Sequence, residues 1–266
     1  MTRSERDLAA RLRREPPRFR AADVSHVEPL TPRMMRVTLA GPELQGLTIE
    51  DPAASVRGLL PSPGASGLVI PTWNGNEFLL PDGSRPIIRT FTPCRVDPES
   101  FELELWVVLH DTGAASEWAS TTKAGDAVAI SGPGRGYAID PDAPSFVLAG
   151  DETAVPAISQ LLEQLPPGPP IEVLIEVAHP DARLPLPEHP NATVSWLDLP
   201  GGSAPGDALV DAVATAAIDP GARVWAAGEA AAMQRIRKQL FGVREHPRSQ
   251  TTVRGYWKHG RRGDTE

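Results

Sequence analysis

The stretch SFVLAGDETAVPAISQLLEQL, residues 145–165, decides the fold. Its apolar start, Ser145–Ala149, predicts a buried strand, Gly150–Thr153 predicts a turn, and the periodicity of Val155–Leu165 is typical of a helix. Pro156 falls in the first turn of that helix, where a backbone N–H has no helical partner to lose. Strand, turn and helix in this order begin a βαβ unit, which indicates a parallel sheet that binds ligands at the carboxyl ends of its strands.

The chain after this stretch repeats the same alternation. Further strands are predicted over Ile171–Val177, Val194–Leu197 and Arg223–Ala227, and further helices over Asp207–Ala217 and Met233–Phe241. The last strand leads into Gly228-Glu229, which therefore belongs to the ligand edge of the sheet.

The chain before this stretch has a different character. Short β-prone runs are separated by Pro and Gly, and Pro61–Arg85 reads as a long loop or hairpin. Such spacing predicts a small antiparallel β-barrel. The predicted strands of the barrel include Met35–Leu39, Ile87–Thr92, Phe101–Leu109 and Ala127–Ser131.

The change of character falls in the turn-rich segment Asp140–Pro144. We therefore expect two domains: a β-barrel over residues 1–143, with a helical arm at 1–17, and an α/β domain over residues 144–266. Within the arm, Ser4–Arg14 is predicted to form a short helix because Leu8 and Leu12 share a face.

Composition excludes several classes of protein. The formal net charge of −8 argues against a general nucleic-acid binder, which needs a surplus of Lys and Arg. One cysteine, Cys94, allows neither an internal disulfide nor a multi-cysteine metal site. The charged start lacks the apolar core of a signal peptide, and no apolar run reaches the length of a membrane span. We expect a cytoplasmic protein without stable membrane insertion.

The first motif with chemical content is Arg89-Thr90-Phe91-Thr92. An isoalloxazine ring needs an aromatic face and a hydroxyl or amide near N5, and its diphosphate needs a cation. Arg89 and Phe91 point to one face of the strand and Thr92 to the other. Taken alone, this tetrapeptide is more typical of an ordinary strand with a core Phe.

The second motif runs from His110 through Gly113-Ala114-Ala115-Ser116 to Trp118. Small residues at a helix start let backbone N–H groups close on a phosphate, and the helix dipole favours the negative charge. Ser116 is expected to cap the helix or to donate its hydroxyl to the phosphate. A capped surface helix without a ligand would have the same pattern.

The third motif, Ala149-Gly-Asp151-Glu-Thr153-Ala154, lies where the first α/β strand meets its helix. A plain βα turn would look the same. By contrast, Gly132-Pro-Gly134-Arg-Gly136 follows a barrel-type strand and no helix comes after it, so it does not predict a dinucleotide fingerprint.

Taken together, these motifs resemble the siderophore-interacting proteins, also called ferric-siderophore reductases, of the ferredoxin–NADP reductase-like superfamily. The resemblance extends from about Phe19 to Gly263 and adds two matches: Trp225–Glu229, and Gly255-Tyr256-Trp257 followed by basic residues. Two departures stand out. Phe91 replaces the usual Tyr, and Cys94, with Arg95 beside it, replaces a common Arg.

The resemblance implies an FAD-dependent reductase of Fe(III)–siderophore complexes that takes electrons from NADH or NADPH. It implies that Arg89 binds the FAD diphosphate, Phe91 stacks on the flavin, Thr92 lies near N5, and His110 with Gly113–Ser116 holds the diphosphate region. Asp151–Thr153 and Gly228-Glu229 would line the approach of the nicotinamide. The full set of expected cofactor-binding residues is Arg89, Thr90, Phe91, Thr92, His110, Gly113, Ala114, Ala115, Ser116, Trp118, Asp151, Thr153, Ala154, Gly228 and Glu229.

A ferric siderophore is often a large anion, so an acidic protein needs a local cluster of cations to bind it. The resemblance points to Arg57 and to the basic tail Lys258, Arg261 and Arg262. Arg183, Arg235 and Arg237 are candidates for contacting the 2′-phosphate of NADPH.

Two alternative functions are left open at this stage: a non-catalytic siderophore-binding protein, and a flavin reductase that serves another electron acceptor, including one driven by ferredoxin.

Overall fold

The structure, a computed structural model, describes residues 18–62, 64–65, 67–110 and 113–260. The helix predicted over Ser4–Arg14 and the candidate substrate residues Arg261 and Arg262 lie outside these ranges. None of the helices in the described ranges is long and apolar enough to span a bilayer.

The first half of the chain forms a seven-stranded sheet in the order β6-β3-β9-β1-β2-β8-β7, in which every pairing is antiparallel. The strands at the two ends of this order, β6 and β7, follow one another in the chain with Thr92 between them. The sheet is thereby closed into a barrel-like shape. Its strands are β1 (Arg20–Thr31), β2 (Met34–Ala40), β3 (Val56–Leu60), β6 (Ile87–Phe91), β7 (Pro93–Asp97), β8 (Glu102–Val108) and β9 (Ala127–Ser131).

The barrel interior is filled by the apolar positions of these strands. In β8, Leu103, Leu105 and Val107 are buried while the residues between them are not, as an antiparallel strand with one core face requires. Helix α1 (Ala114–Thr121) adds Trp118 and Ala119 to the same core. The expected hairpin between residues 61 and 85 contains the two short strands β4 (Thr72–Trp73) and β5 (Phe78–Leu79).

The second half forms a five-stranded sheet in the order β12-β11-β10-β13-β14, in which every pairing is parallel. The strands are β10 (Phe146–Asp151), β11 (Ile171–Val177), β12 (Ala192–Asp198), β13 (Arg223–Glu229) and β14 (Thr251–Trp257). The helices are α2 (Val155–Gln164), α3 (Asp207–Thr215) and α4 (Ala230–Lys238).

Helices cover both faces of this parallel sheet, which explains why its strands are nearly continuous apolar runs. Phe146 and Leu148 of β10 pack in one core with Ile158 of α2. Val147 and Ala149 point to the other face and pack with α3 and α4. The strand order reverses between β10 and β13, which marks the crevice where such sheets bind ligands.

The structure extends the sequence predictions at several boundaries. Strand β14 was not predicted, and α4 ends at Lys238, before a π-helical turn over Gln239–Val243.

Polar contacts join the two sheets: Arg33 Nε donates to Glu152 at 3.1 Å, and Arg254 donates to the carbonyl oxygens of Ala53 and Gly136.

Candidate functional site

The Arg89–Thr92 segment forms the end of β6 and the corner before β7. The Phe91 ring is 9% exposed and packs against Gly58 of the neighbouring strand, where an added Cβ would lie 2.8 Å from Phe91 Cε2. Its centroid is 6.1 Å from that of Trp118, at an interplanar angle of 48°. Arg89 is half-buried, and one guanidinium nitrogen donates to the carbonyl of Ile88 at 2.8 Å. The aromatic ring is therefore held firmly from the protein side.

The glycine turn before α1 is shaped around His110. Gly113 has a φ of +134°, and a Cβ there would lie 2.9 Å from His110 Cε1, so a glycine is required at this position. The hydroxyl of Ser116 donates to the His110 carbonyl at 2.8 Å and accepts from the His110 N–H at 3.0 Å.

These contacts change the role of Ser116. The N-cap of α1 is Gly113, with no side-chain cap, and the Ser116 hydroxyl proton is already used on His110. The expectation that Ser116 caps the helix is wrong, because the residue lies within the first helical turn. The backbone N–H groups of Ala114–Ser116 are the donors of this turn that have no helical acceptor.

The end of β14 lies beside the two barrel motifs that the sequence analysis predicted to bind FAD, Arg89–Thr92 and His110–Trp118. The Tyr256 side chain lies beside that of Thr92, and the Trp257 ring stacks on His110 with centroids 5.9 Å apart at 18°. Burial raises the pKa of the Tyr256 phenol. Two consecutive aromatic residues of the second sheet thus contact Thr92 and His110 of the first.

Asp151, at the carboxyl end of β10, holds this arrangement in place. Its carboxylate accepts from Trp257 Nε1 at 2.7 Å, from the Glu229 N–H at 2.9 Å, and from the Thr153 N–H and hydroxyl at 2.9 and 2.5 Å. A Cβ at Gly228 would lie 2.6 Å from Asp151 Oδ2. Burial raises the pKa of Asp151, and these hydrogen bonds oppose the shift.

Other residues expected at the nucleotide edge are largely enclosed by protein. Glu229 caps α4 by accepting from the Ala232 N–H at 2.8 Å, and it also accepts from the His259 N–H at 3.2 Å. The side chain of Ala154 is fully buried, and a Cβ at Gly150 would lie 2.4 Å from its methyl group. Ala154 can therefore face a ligand only with its backbone.

Glu152 is a buried carboxylate that bridges the two sheets. It pairs with Arg33 and also accepts from the Ala178 N–H at 2.7 Å. Burial raises the pKa of Glu152, while the Ala178 hydrogen bond and Arg33 lower it. The turn between β10 and α2 thus carries two buried carboxylates.

The basic residues expected at the substrate site are exposed. Arg57 lies on β3 and pairs in register with Thr90 on β6, while Lys258 directly follows Trp257. Within the described ranges, neither side chain is engaged in a hydrogen bond or ion pair. Thr90 is two residues from Thr92, and Lys258 is two residues from Tyr256, which lies beside Thr92.

The structure shows the environment of Cys94, the residue that replaces a common Arg of the family pattern. Burial raises the pKa of the Cys94 thiol well above its ordinary value, so this position carries no charge at neutral pH. Arg95 is 3.9 Å from Asp97 and its side chain is 75% exposed. Arg95 therefore lies on the barrel surface, next to Asp97.

Several residues of the site were not singled out by the sequence analysis. Tyr256 and Trp257 belong to a motif that was noticed but given no role. Arg33 and Gly58 carried no local signal, because their importance comes from partners far away in the chain.

The residues present fit an FAD diphosphate. The glycine turn offers first-turn N–H groups and Arg89 offers a cation, while the Phe91 ring lies in the barrel core and is 9% exposed. Buried Trp118 Nε1 has no acceptor among the described residues, so α1 retains an unused donor.

Comparison with known families matches both halves of the chain. The profile of the siderophore-interacting FAD-binding domain matches residues 23–137, and that of the siderophore-interacting protein matches residues 143–260. A siderophore utilization protein from T. fusca superposes with a TM-score of 0.83 at 33% identity, covering 95% of this chain and 97% of that one.

Two further proteins extend the comparison. Ferric vibriobactin reductase of Vibrio cholerae is 27% identical over 233 residues, which is 86% of this chain and 85% of that protein. The ferredoxin reductase of a carbazole 1,9a-dioxygenase superposes with a TM-score of 0.65 at 14% identity, covering 92% of this chain and 71% of the other, which shows the fold. The barrel followed by a parallel sheet is thus a ferredoxin reductase-like architecture.

Proposed function

This chain belongs to the siderophore-interacting protein family and its first half is an FAD-binding domain, and from that premise we propose that it reduces Fe(III)–siderophore complexes with electrons from NADH or NADPH. The observation that carries the proposal is the junction of the two halves. Thr92 and His110 of the barrel contact Tyr256 and Trp257 of the parallel sheet. Groups suited to a flavin therefore lie beside the edge at which a parallel sheet binds nucleotides.

The protein's part in this reaction is to bind and to position. When bound, FAD supplies the capacity to accept a hydride and to pass electrons on one at a time. Arg89 and the N–H groups of Ala114–Ser116 would hold the diphosphate, and Phe91 would contact the ring. Asp151 fixes Trp257 through a 2.7 Å hydrogen bond and so keeps the Trp257 ring stacked on His110.

The substrate chemistry agrees with this division of labour. Siderophores bind iron through hard oxygen donors, which suit Fe(III) far better than Fe(II). Reduction therefore loosens the chelate and releases the metal without a nucleophile or a general acid. Arg57 and Lys258 would attract an anionic chelate to the junction, against a formal net charge of −8 for the whole chain.

The domain division is also part of the proposal. We place the boundary between residues 143 and 144, just before β10, so that the FAD domain is the barrel and the nucleotide domain is the parallel sheet.

The test begins with the absorbance spectrum of the purified protein, followed by anaerobic titration with NADH and NADPH. The double variant Arg57→Ala/Lys258→Ala is expected to lose about tenfold in reduction of an anionic ferric chelate at low salt, and less at high salt. Its flavin content and its flavin reduction by nucleotide should stay unchanged.

Lys238→Ala is the matched control, because Lys238 is exposed at the end of α4 and helices of a parallel sheet end at the opposite edge. Full activity of the double variant on an anionic chelate at low salt would remove the proposed substrate site. A protein that neither contains nor binds FAD would remove the proposed reaction.

A further inference from the structure

The segment that contains β11 and β12 is rich in carboxylates. Residues 171–218 contain one cation, Arg183, and seven carboxylates. In a sheet of this strand order, the ribose of the adenosine half lies near the end of the second strand, about 20 residues after the first turn. That strand is β11, which ends at Val177, and the segment after it is where an NADPH-specific site needs a cation for the 2′-phosphate.

The single cation of this segment is already engaged. Nη2 of Arg183 lies 2.6 Å from both carboxylate oxygens of Asp198, which ends β12. Between β11 and Arg183, the exposed Asp181 lies 2.7 Å from Nδ1 of His179. The edge around the end of β11 therefore presents one paired cation and one further carboxylate.

The other two candidate arginines are engaged as well. Arg235 Nη1 donates to Asp207 Oδ1 at 2.7 Å, at the start of α3, and Arg237 donates to the carbonyl of Val253. Asp207 also accepts from the Ala204 N–H at 2.8 Å, so it is held in place at this edge. All three arginines that the sequence offered for a 2′-phosphate are thus committed to internal partners.

We infer that the nucleotide site selects NADH over NADPH, because Asp181 and Asp198 border the place of the 2′ substituent and Arg183 is held by Asp198. The inference rests on the proposed function and identifies its electron donor. A ribose 2′-hydroxyl can donate a hydrogen bond to a carboxylate, whereas a 2′-phosphate is repelled by it. Through bulk water, one unit charge about 6 Å from a doubly charged phosphate corresponds to about a tenfold difference in affinity.

Two measurements test the inference on the FAD-loaded protein. Isothermal titration calorimetry with NAD+ and NADP+ reports binding without turnover, and anaerobic stopped flow gives kcat/KM for flavin reduction by NADH and NADPH. The native protein should favour the unphosphorylated nucleotide by about tenfold or more in both measurements. The preference should narrow as the salt concentration rises, because exposed charges are screened.

Three single-residue variants test whether these carboxylates cause the nucleotide preference. Asp198→Asn releases Arg183 and should reduce the preference for NAD+ over NADP+ by about tenfold. The change should come from tighter binding of NADP+, while the affinity for NAD+ should change little. Asp181→Asn should act in the same direction. Asp219→Asn removes the same charge from the exposed loop before β13, at the opposite edge of the sheet, and should leave the preference unchanged.

The outcomes separate this inference from the proposed function. Equal or better use of NADPH by the native protein, or an unchanged preference in both Asp198→Asn and Asp181→Asn, would overturn the inference and leave the reductase proposal intact. If neither nucleotide binds or reduces the flavin, the proposed donor is wrong and the inference falls with it.

Discussion

Replacing Gly58 with Ala is expected to displace the Phe91 ring and to weaken FAD binding. The new Cβ would lie 2.8 Å from Phe91 Cε2 and 3.2 Å from Cδ2, whereas ordinary contact begins at 3.4 Å, so the ring must move by about 0.6 Å. Gly58 does not have a positive φ, so Ala fits its backbone and the effect isolates the steric contact. Trp118 and the barrel core resist the movement of the ring from the other side.

Overpacking of this kind costs about 1–3 kcal/mol. If about half of a cost of about 2 kcal/mol falls on the bound state, the Kd for FAD rises about fivefold, since 1.4 kcal/mol corresponds to a factor of ten. The remainder should appear as a fall of about 1 kcal/mol in the free energy of unfolding of the apoprotein. FAD binding is measured by titration of the apoprotein, followed by flavin fluorescence, and stability is measured by urea unfolding.

Gly67→Ala is the matched control, because a Cβ at Gly67 would meet no atom within 4 Å. The double variant Gly58→Ala/Phe91→Leu should lose little more than Phe91→Leu alone, because the smaller side chain leaves room for the new methyl group. Unchanged FAD affinity and unchanged stability in Gly58→Ala would refute the view that Gly58 seats the Phe91 ring.

Two further predictions concern the buried carboxylates. Arg33→Met should lower the free energy of unfolding by about 2–3 kcal/mol at pH 7, because it leaves Glu152 buried without its cation. The loss should shrink at pH 5, as Glu152 takes up a proton, and urea unfolding at the two pH values, with the exposed pair variant Arg85→Met as control, checks both points. Asp151→Asn should be destabilising, because an amide offers fewer acceptors to the four donors around it. Burial raises the folded-state pKa of Asp151 above 3.8. The difference in free energy of unfolding between the native protein and Asp151→Asn should therefore be greatest below that value and decline as pH rises through the folded pKa. A difference that grows with pH between 4 and 7 would contradict this reasoning.

Periodicity predicted most of the second half correctly because its strands are buried on both faces. Ile171–Val177 was predicted with the bounds that the structure shows, and Asp207–Ala217 differs from α3 by two residues at its end. Strand β14 escaped prediction because Thr251–Trp257 lies at the edge of the sheet and mixes Arg and Gly with apolar residues. Its pairing with β13 defines it as a strand, and that pairing is a long-range contact.

In the candidate site, too, the local sequence identifies residue types, whereas contacts with other residues show what each residue does. Gly113 was identified by type, and the structure shows the reason, since a Cβ there would meet the ring of His110. Ser116 was also identified by type, but its hydroxyl proton is donated to the His110 carbonyl and not to a phosphate. Residue type predicts which chemistry is available, whereas the hydrogen-bond partner decides whether that chemistry is free to act on a ligand.

The sequence by itself determined the barrel, the parallel sheet, their order and the family, because these depend on short-range periodicity and on ordered motifs. Only the tertiary structure decided which groups meet: Thr92 with Tyr256, His110 with Trp257, and Arg33 with Glu152. It also showed that Arg183, Arg235 and Arg237 are committed to other partners. The physical reason is that periodicity is set by neighbours along the chain, while the partner of a charge or a ring is set by residues that folding brings together from far away.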